Sequence, residues 1–205
     1  MFIRLLFTNP RAFATIILIV VFSICLHEFM HAWVALKMGD PTAADRGHLT
    51  MNPFRQMGWW SIVMLALIGI AWGQVPVDLR NLPSRGRRIA VALAGVSANL
   101  ALALCLTVLT FVTMLCRQEF AAAMLFQGAV LNLLMLVINL LPLPGLDGFR
   151  VLMEFVRFRP GIDTEKLNAA FFILTMILFF CVDYLMEAAQ FVVVHLLELM
   201  MRAVQ

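Results

Sequence analysis

Long uncharged apolar runs constrain this chain more than any other feature. Four of them, about residues 12–36, 89–115, 120–141 and 167–199, can each cross a bilayer as a helix, which takes roughly 20 apolar residues. Of the 205 residues, 63% are hydrophobic and only 13% are charged. A water-soluble globule of this size could not hide that much apolar surface, so lipid must be the solvent for most of the chain. The expected fold is an all-α integral membrane protein, a polytopic helical bundle. It reads as one domain over residues 1–205, because no flexible linker, repeat or low-complexity tract divides it. The apolar run behind Arg4 and Arg11 superficially suggests a signal peptide. It lacks a small-residue cleavage site, so it is expected to be retained.

A fifth run, residues 58–72, is short for a full crossing, and the distribution of charge bears on its path. If the N-terminus is outside and this run is re-entrant, then Lys37, Arg46, Arg55, Arg80, Arg85, Arg87, Arg88, Arg150, Arg157, Arg159 and Lys166 all lie inside. Arg4, Arg11, Arg117 and Arg202 remain outside. Eleven against four fits the positive-inside tendency, whereas a full crossing would split the basic loops between the two sides. The basic residues therefore read as topology signals, and no nucleic-acid partner is expected. Trp59, Trp60 and Trp72 bracket the short run as interfacial anchors. Alternatively, this loop and Val75-Pro76-Val77 offer an edge to an extended peptide. Beyond Asp183 the last run reads either as a continued span or as an interfacial helix. The four cysteines are far apart and form no CxxC pair, so they read as small hydrophobes.

Chemistry enters with His27-Glu28-Phe29-Met30-His31, an HExxH motif inside the first apolar run. Residues four apart share one helix face, so both imidazoles can bind a single zinc ion. Glu28 is placed to take a proton from a water on that ion. Two histidines and a glutamate are costly in a bilayer unless they serve a function. Catalytic zinc takes three protein ligands and leaves a position open. His48 lies in a loop, and His195 sits in the last run, where a structural role is the simpler reading. Of the acids at membrane depth, Asp183 has no helix break beside it. Asp147 follows Leu141-Pro142-Leu143-Pro144-Gly145-Leu146, where unwound backbone lets a carboxylate turn toward a partner and Gly148 gives the turn freedom. The rival for Asp147 is a helix cap. In the proposed topology, both ligand sets fall in the inner half of the bilayer.

The HExxH helix is followed by Gly39-Asp40-Pro41-Thr42-Ala43, Gly47-His48-Leu49-Thr50-Met51-Asn52-Pro53, Ala94-Gly95-Val96-Ser97-Ala98-Asn99 and Asn139 through Gly148. Together these motifs resemble the site-2 protease family of intramembrane zinc metalloproteases, in its compact prokaryotic branch without PDZ or CBS domains. The resemblance covers roughly residues 12–155. It implies zinc ligands at His27, His31 and Asp147, one Zn2+ per chain, Glu28 as general base, and Asn99 near the site, bonding substrate or an oxyanion. It also implies a three-helix catalytic core, a membrane-protein substrate with a transmembrane helix, and a place in a prokaryotic inner membrane with the active site nearer the cytoplasm. This chain departs from the branch at His48, Phe54–Met57, Val96 and Gly145, none of them in the inferred zinc set. Two other classes compete: a membrane zinc transporter, and a catalytically inactive scaffold that binds membrane segments. Glu28 between the two histidines favours the enzyme over both.

Overall fold

The computed structural model describes residues 2–156 and 164–204, with the side chains of the last helix described from residue 169 onward. Arg157 and Arg159 of the expected basic loop, and the side chain of Lys166, lie outside the described residues.

A short helix α1 (Arg4–Thr8) leads into α2 (Pro10–Met38). The side chain of Asn9 accepts from the Ala12 N–H and Pro10 occupies the first turn, a favourable start because proline has no N–H to leave unpaired. At the other end Gly39, with φ +106°, closes α2 in the left-handed conformation. Two short helices, α3 (Thr42–Asp45) and α4 (Pro53–Gln56), lead to α5 (Gly58–Ile68), and an extended limb then returns to a 3-10 turn at Leu79–Asn81. The long helices α6 (Arg85–Leu115) and α7 (Glu119–Leu140), the short α8 (Asp147–Met153) and the final α9 (Thr164–Val204) complete the chain. Four of these helices, α2, α6, α7 and α9, are long and apolar enough to cross a membrane. The protein is an all-α polytopic membrane protein.

α2, α6 and α7 pack together, with two apolar clusters locking the other helices around them. Val20, Cys25 and Leu131 bury against Met57 and Leu65, seating α5 on the α2–α7 face. Phe111, Ala129 and Val130 bury against Ala189, Val193 and Leu197, seating α9 on α6 and α7. Of the two readings of the chain beyond Asp183, the structure fits the continuation of the same helix. α9 runs unbroken past Asp183, and its C-terminal half docks on the bundle.

The short run goes out and comes back. The Gln74 N–H donates to the Gln56 carbonyl at 3.0 Å, and Ser61 Oγ bonds both the N–H and the carbonyl of Trp72 at 2.8 and 2.7 Å. Its outgoing helix has 11 residues, about 16 Å at 1.5 Å per residue, roughly half of a hydrocarbon core. The excursion is deep. The Ile3 N–H reaches the Leu67 carbonyl at 3.2 Å, so the tip touches the segment that precedes α2.

α6 begins earlier than its apolar run suggests, because Ser84 caps it through the Arg87 N–H. Arg85, Arg87 and Arg88, expected in a connecting stretch, form its first turn and tie neighbouring ends together. Arg87 donates to the Met38 carbonyl at 3.2 Å, and Arg88 pairs with Glu154 just past α8 at 2.8 Å. The loop after α2 is pinned by fully buried Asp40, which accepts from Thr42, from the Asp78 N–H at 2.8 Å and from Asn81 Nδ2 at 2.8 Å. These bonds hold the limb that returns from α5 against the inner end of α2.

Candidate metal centre

α2 carries His27, Glu28 and His31 into the bundle, all three buried. Four-residue spacing puts the imidazoles on one face, with their Nε2 atoms 3.0 Å apart. Asp147 arrives from 116 positions beyond His31 as the first residue of α8, and its Oδ2 lies 3.1 Å from each Nε2. Its other oxygen faces Arg150, 3.8 Å away.

α6 holds both imidazoles from behind. Nδ1 of His31 lies 2.7 Å from the Val91 carbonyl, and Nδ1 of His27 lies 2.5 Å from Asn99 Oδ1. Both partners are acceptors, so each Nδ1 carries the ring hydrogen and each Nε2 of a neutral imidazole is a bare lone pair. Three lone pairs, two nitrogen and one carboxylate, thus converge within 3.1 Å with no hydrogen between them. Such an arrangement repels itself unless a cation sits among the donors. A tetrahedral zinc at about 2.0–2.2 Å from its ligands would set the donor atoms about 3.3 Å apart, close to the separations found. Among the described residues this is the one group of three or more His, Cys, Asp or Glu side chains able to hold an ion.

Sequence reasoning missed how two glycines make room for this site. Gly95 lies midway between Val91 and Asn99 on one stripe of α6, and an ideal Cβ there would overlap Nε2 of both histidines. On the other side Gly73, in the limb returning from α5, lies so close to Glu28 that a Cβ would collide with its carboxylate. The four-residue spacing of Val91, Gly95 and Asn99 was the available signal. Gly148 needs a different explanation from the turn freedom expected of it. It is helical, and its lack of a side chain admits the Leu140 carbonyl, which a Cβ would overlap.

Asn99 does lie beside the site, but it is 1% exposed and both ends of its amide are engaged. Oδ1 accepts from His27, and Nδ2 donates to Asn132 Oδ1 at 3.0 Å. Nδ2 also lies 3.7 Å from Met135 Sδ, so in this structure the amide braces the His27 imidazole. His48 and His195 stay away from the cluster. His48 packs on buried Gln56, whose amide donates to the His48 and Thr50 carbonyls, and His195 stacks on Phe191. Asp183 lies within α9.

Comparison with known proteins shows the family. The family model of peptidase family M50 matches residues 15–124, the stretch that carries the HExxH helix and the α6 stripe. The chain belongs to peptidase family M50. This is the site-2 protease family. The M50 chain is 32% identical over 179 residues to the candidate zinc metalloprotease YwhC of Bacillus subtilis, covering 80% of this chain and 79% of YwhC. It is 36% identical over 165 residues to the candidate zinc metalloprotease Rip2 of Mycobacterium tuberculosis, covering 73% of this chain and 61% of Rip2. Against Rip2 of Mycolicibacterium smegmatis the identity is 36% over 157 residues, covering 70% of this chain and 60% of the relative. The chain thus spans about three fifths of the Rip2 proteins. No solved structure matches it. The M50 protein is accordingly a site-2-type zinc metalloprotease set in a membrane, with zinc as its cofactor.

Proposed function

We propose that this protease hydrolyses peptide bonds in or near transmembrane segments of membrane proteins, using one zinc ion held by His27, His31 and Asp147. The convergence of three bare donors in the interior of a membrane-helix bundle, next to a carboxylate, carries this reading. When bound, zinc supplies a Lewis acid that polarises a carbonyl and acidifies water. Glu28, one residue along α2 from His27, takes the proton of the attacking water and hands it to the departing amine. Val91 and Asn99 hold the two imidazoles in the tautomer that leaves Nε2 free. Arg150 approaches the Asp147 oxygen that faces away from the histidines. A substrate helix has to unwind to reach this site, because its own hydrogen bonds occupy the scissile carbonyl. The returning limb with Gly73 passes directly over Glu28 and borders the route by which an extended peptide would enter.

The charge distribution supports an N-terminus outside and an active site nearer the cytoplasm, in a prokaryotic inner membrane. Glu28→Gln tests the enzyme against its rivals. With the purified protein in liposomes and a transmembrane reporter substrate, cleavage is expected to fall about 10²- to 10⁴-fold while one zinc per chain is retained. Cleavage that persists at the wild-type rate would remove Glu28 from the mechanism. Zinc flux across the liposome with no cleavage by the wild type would favour a transporter. The same variant, used as a trap, identifies the membrane proteins that accumulate bound and uncut.

A further inference from the structure

We propose that Asn132, on α7 and remote from the ion, is a positioning residue for the metal centre. Acting through Asn99, it sets the hydrogen of His27 on Nδ1 and keeps Nε2 bare. The inference rests on the reading above that His27 is a zinc ligand.

The argument starts at a group with no choice. The Gly128 carbonyl can only accept. Asn132 Nδ2 donates to it at 2.9 Å and to Ser23 Oγ on α2 at 2.9 Å. With its nitrogen committed there, Asn132 presents Oδ1 to Asn99, 3.0 Å away. Asn99 must answer with Nδ2, so its own Oδ1 faces His27 Nδ1. An oxygen in that place accepts, and the ring hydrogen is held on Nδ1. The direction of every bond in the chain thus descends from one backbone carbonyl on α7.

Turning the chain over would be costly at each step. Asn132 is 0% exposed, and Asn99 and Ser23 are 1% exposed. A reversed Asn132 would set its oxygen against the Gly128 carbonyl in a buried place. A reversed Asn99 would offer N–H to Nδ1, forcing the ring hydrogen onto Nε2, into the centre of the donor triangle. His31 provides the internal contrast. Its Nδ1 meets the Val91 carbonyl directly, so its tautomer does not depend on any side chain. Of the two imidazoles, only His27 is set through side-chain amides.

The test titrates zinc against a competing chelator with the full-length protein in detergent. Partners of this kind are worth 10- to 100-fold in metal affinity, and Asn132→Leu, which removes the amide at similar size, is expected to weaken zinc by that much. Thr107→Val removes another buried polar group, one that bonds only the Ala103 carbonyl of its own helix; it is expected to leave affinity within about twofold of wild type. Asn132→Asp, kept neutral by its burial, donates its O–H to the Gly128 carbonyl and offers Asn99 its carbonyl oxygen, and it should restore binding to within about threefold of wild type. Wild-type affinity in Asn132→Leu would overturn the proposal, as would equal losses in the Leu and Asp variants. If Asn132→Leu does not fold, the ring 15N shifts of zinc-free wild type at about pH 8 give a direct reading, because Nε2–H on His27 contradicts the proposal. His27→Ala in the same titration separates the two claims. If it binds zinc as tightly as wild type, the ligand assignment itself fails, whatever Asn132 does.

Discussion

At the scale of single residues, space decides as much as chemistry does. Gly95 faces the point where the two Nε2 atoms converge, and a methyl there would occupy the volume the ion needs. Alanine is otherwise favoured over glycine within a helix, by about 1 kcal/mol. Gly95→Ala is therefore expected to fold with α6 intact and yet lose zinc at least about 100-fold, comparable to losing a ligand's support. Helical content by circular dichroism and metal content by mass spectrometry would check both halves, and full zinc occupancy would contradict the geometry. The three side chains that converge were legible in the sequence: His27 and His31 through their four-residue spacing, and Asp147 through the proline-rich break before it. Gly95, Asn99 and Asn132 were not legible in their roles. The four-residue spacing of Gly95 and Asn99 puts them on one face of α6 but does not tell what that face meets, and Asn132, bonded to another helix, has no characteristic spacing along its own.

At the scale of elements, the loops at the inner end of the bundle do more than connect. Burial alone would raise the Asp40 carboxyl. Hydrogen bonds from Thr42, from Asn81 and from the backbone of Asp78 and Thr42 outweigh it and hold the group below the ordinary carboxylate range. A carboxyl lowered in the folded state stabilises the protein above its unfolded value of about 3.9, and that contribution is lost as pH falls through the lower, folded value. Asp40→Asn should accordingly melt at a lower temperature than wild type at pH 7, with the gap narrowing below about pH 4. Thermal melts across that range test it, and a gap that stays constant with pH would remove the charge from the explanation. The long helices of the fold were readable from apolar run length, with two departures that have physical causes, whereas the short α1, α3, α4 and α8 carry no such run. α6 starts at its Ser84 cap, ahead of its apolar residues. α9 carries Asp183 without breaking, because a single charge neither removes a backbone hydrogen bond nor bends the chain as proline would.

At the scale of the whole molecule, orientation can be tested with a thiol the chain already has. Cys116 closes α6 at the turn into α7 and is exposed, whereas Cys25 is buried. With the N-terminus outside, a membrane-impermeant maleimide should label Cys116 in right-side-out vesicles, and Cys116→Ser should abolish that labelling. Labelling confined to inverted vesicles would reverse the topology. The donor triangle has a mechanical consequence as well. Its Asp147 and His31 are 116 positions apart, so an ion there acts as a clasp joining α2 to α8, two elements distant in the sequence. A ligand present at 100 times its dissociation constant adds about 2.7 kcal/mol to stability, and chelation should lower the melting temperature accordingly. A cell short of zinc would then hold fewer copies of the enzyme as well as idle ones, since an unclasped bundle opens more often to the proteases that clear membrane proteins.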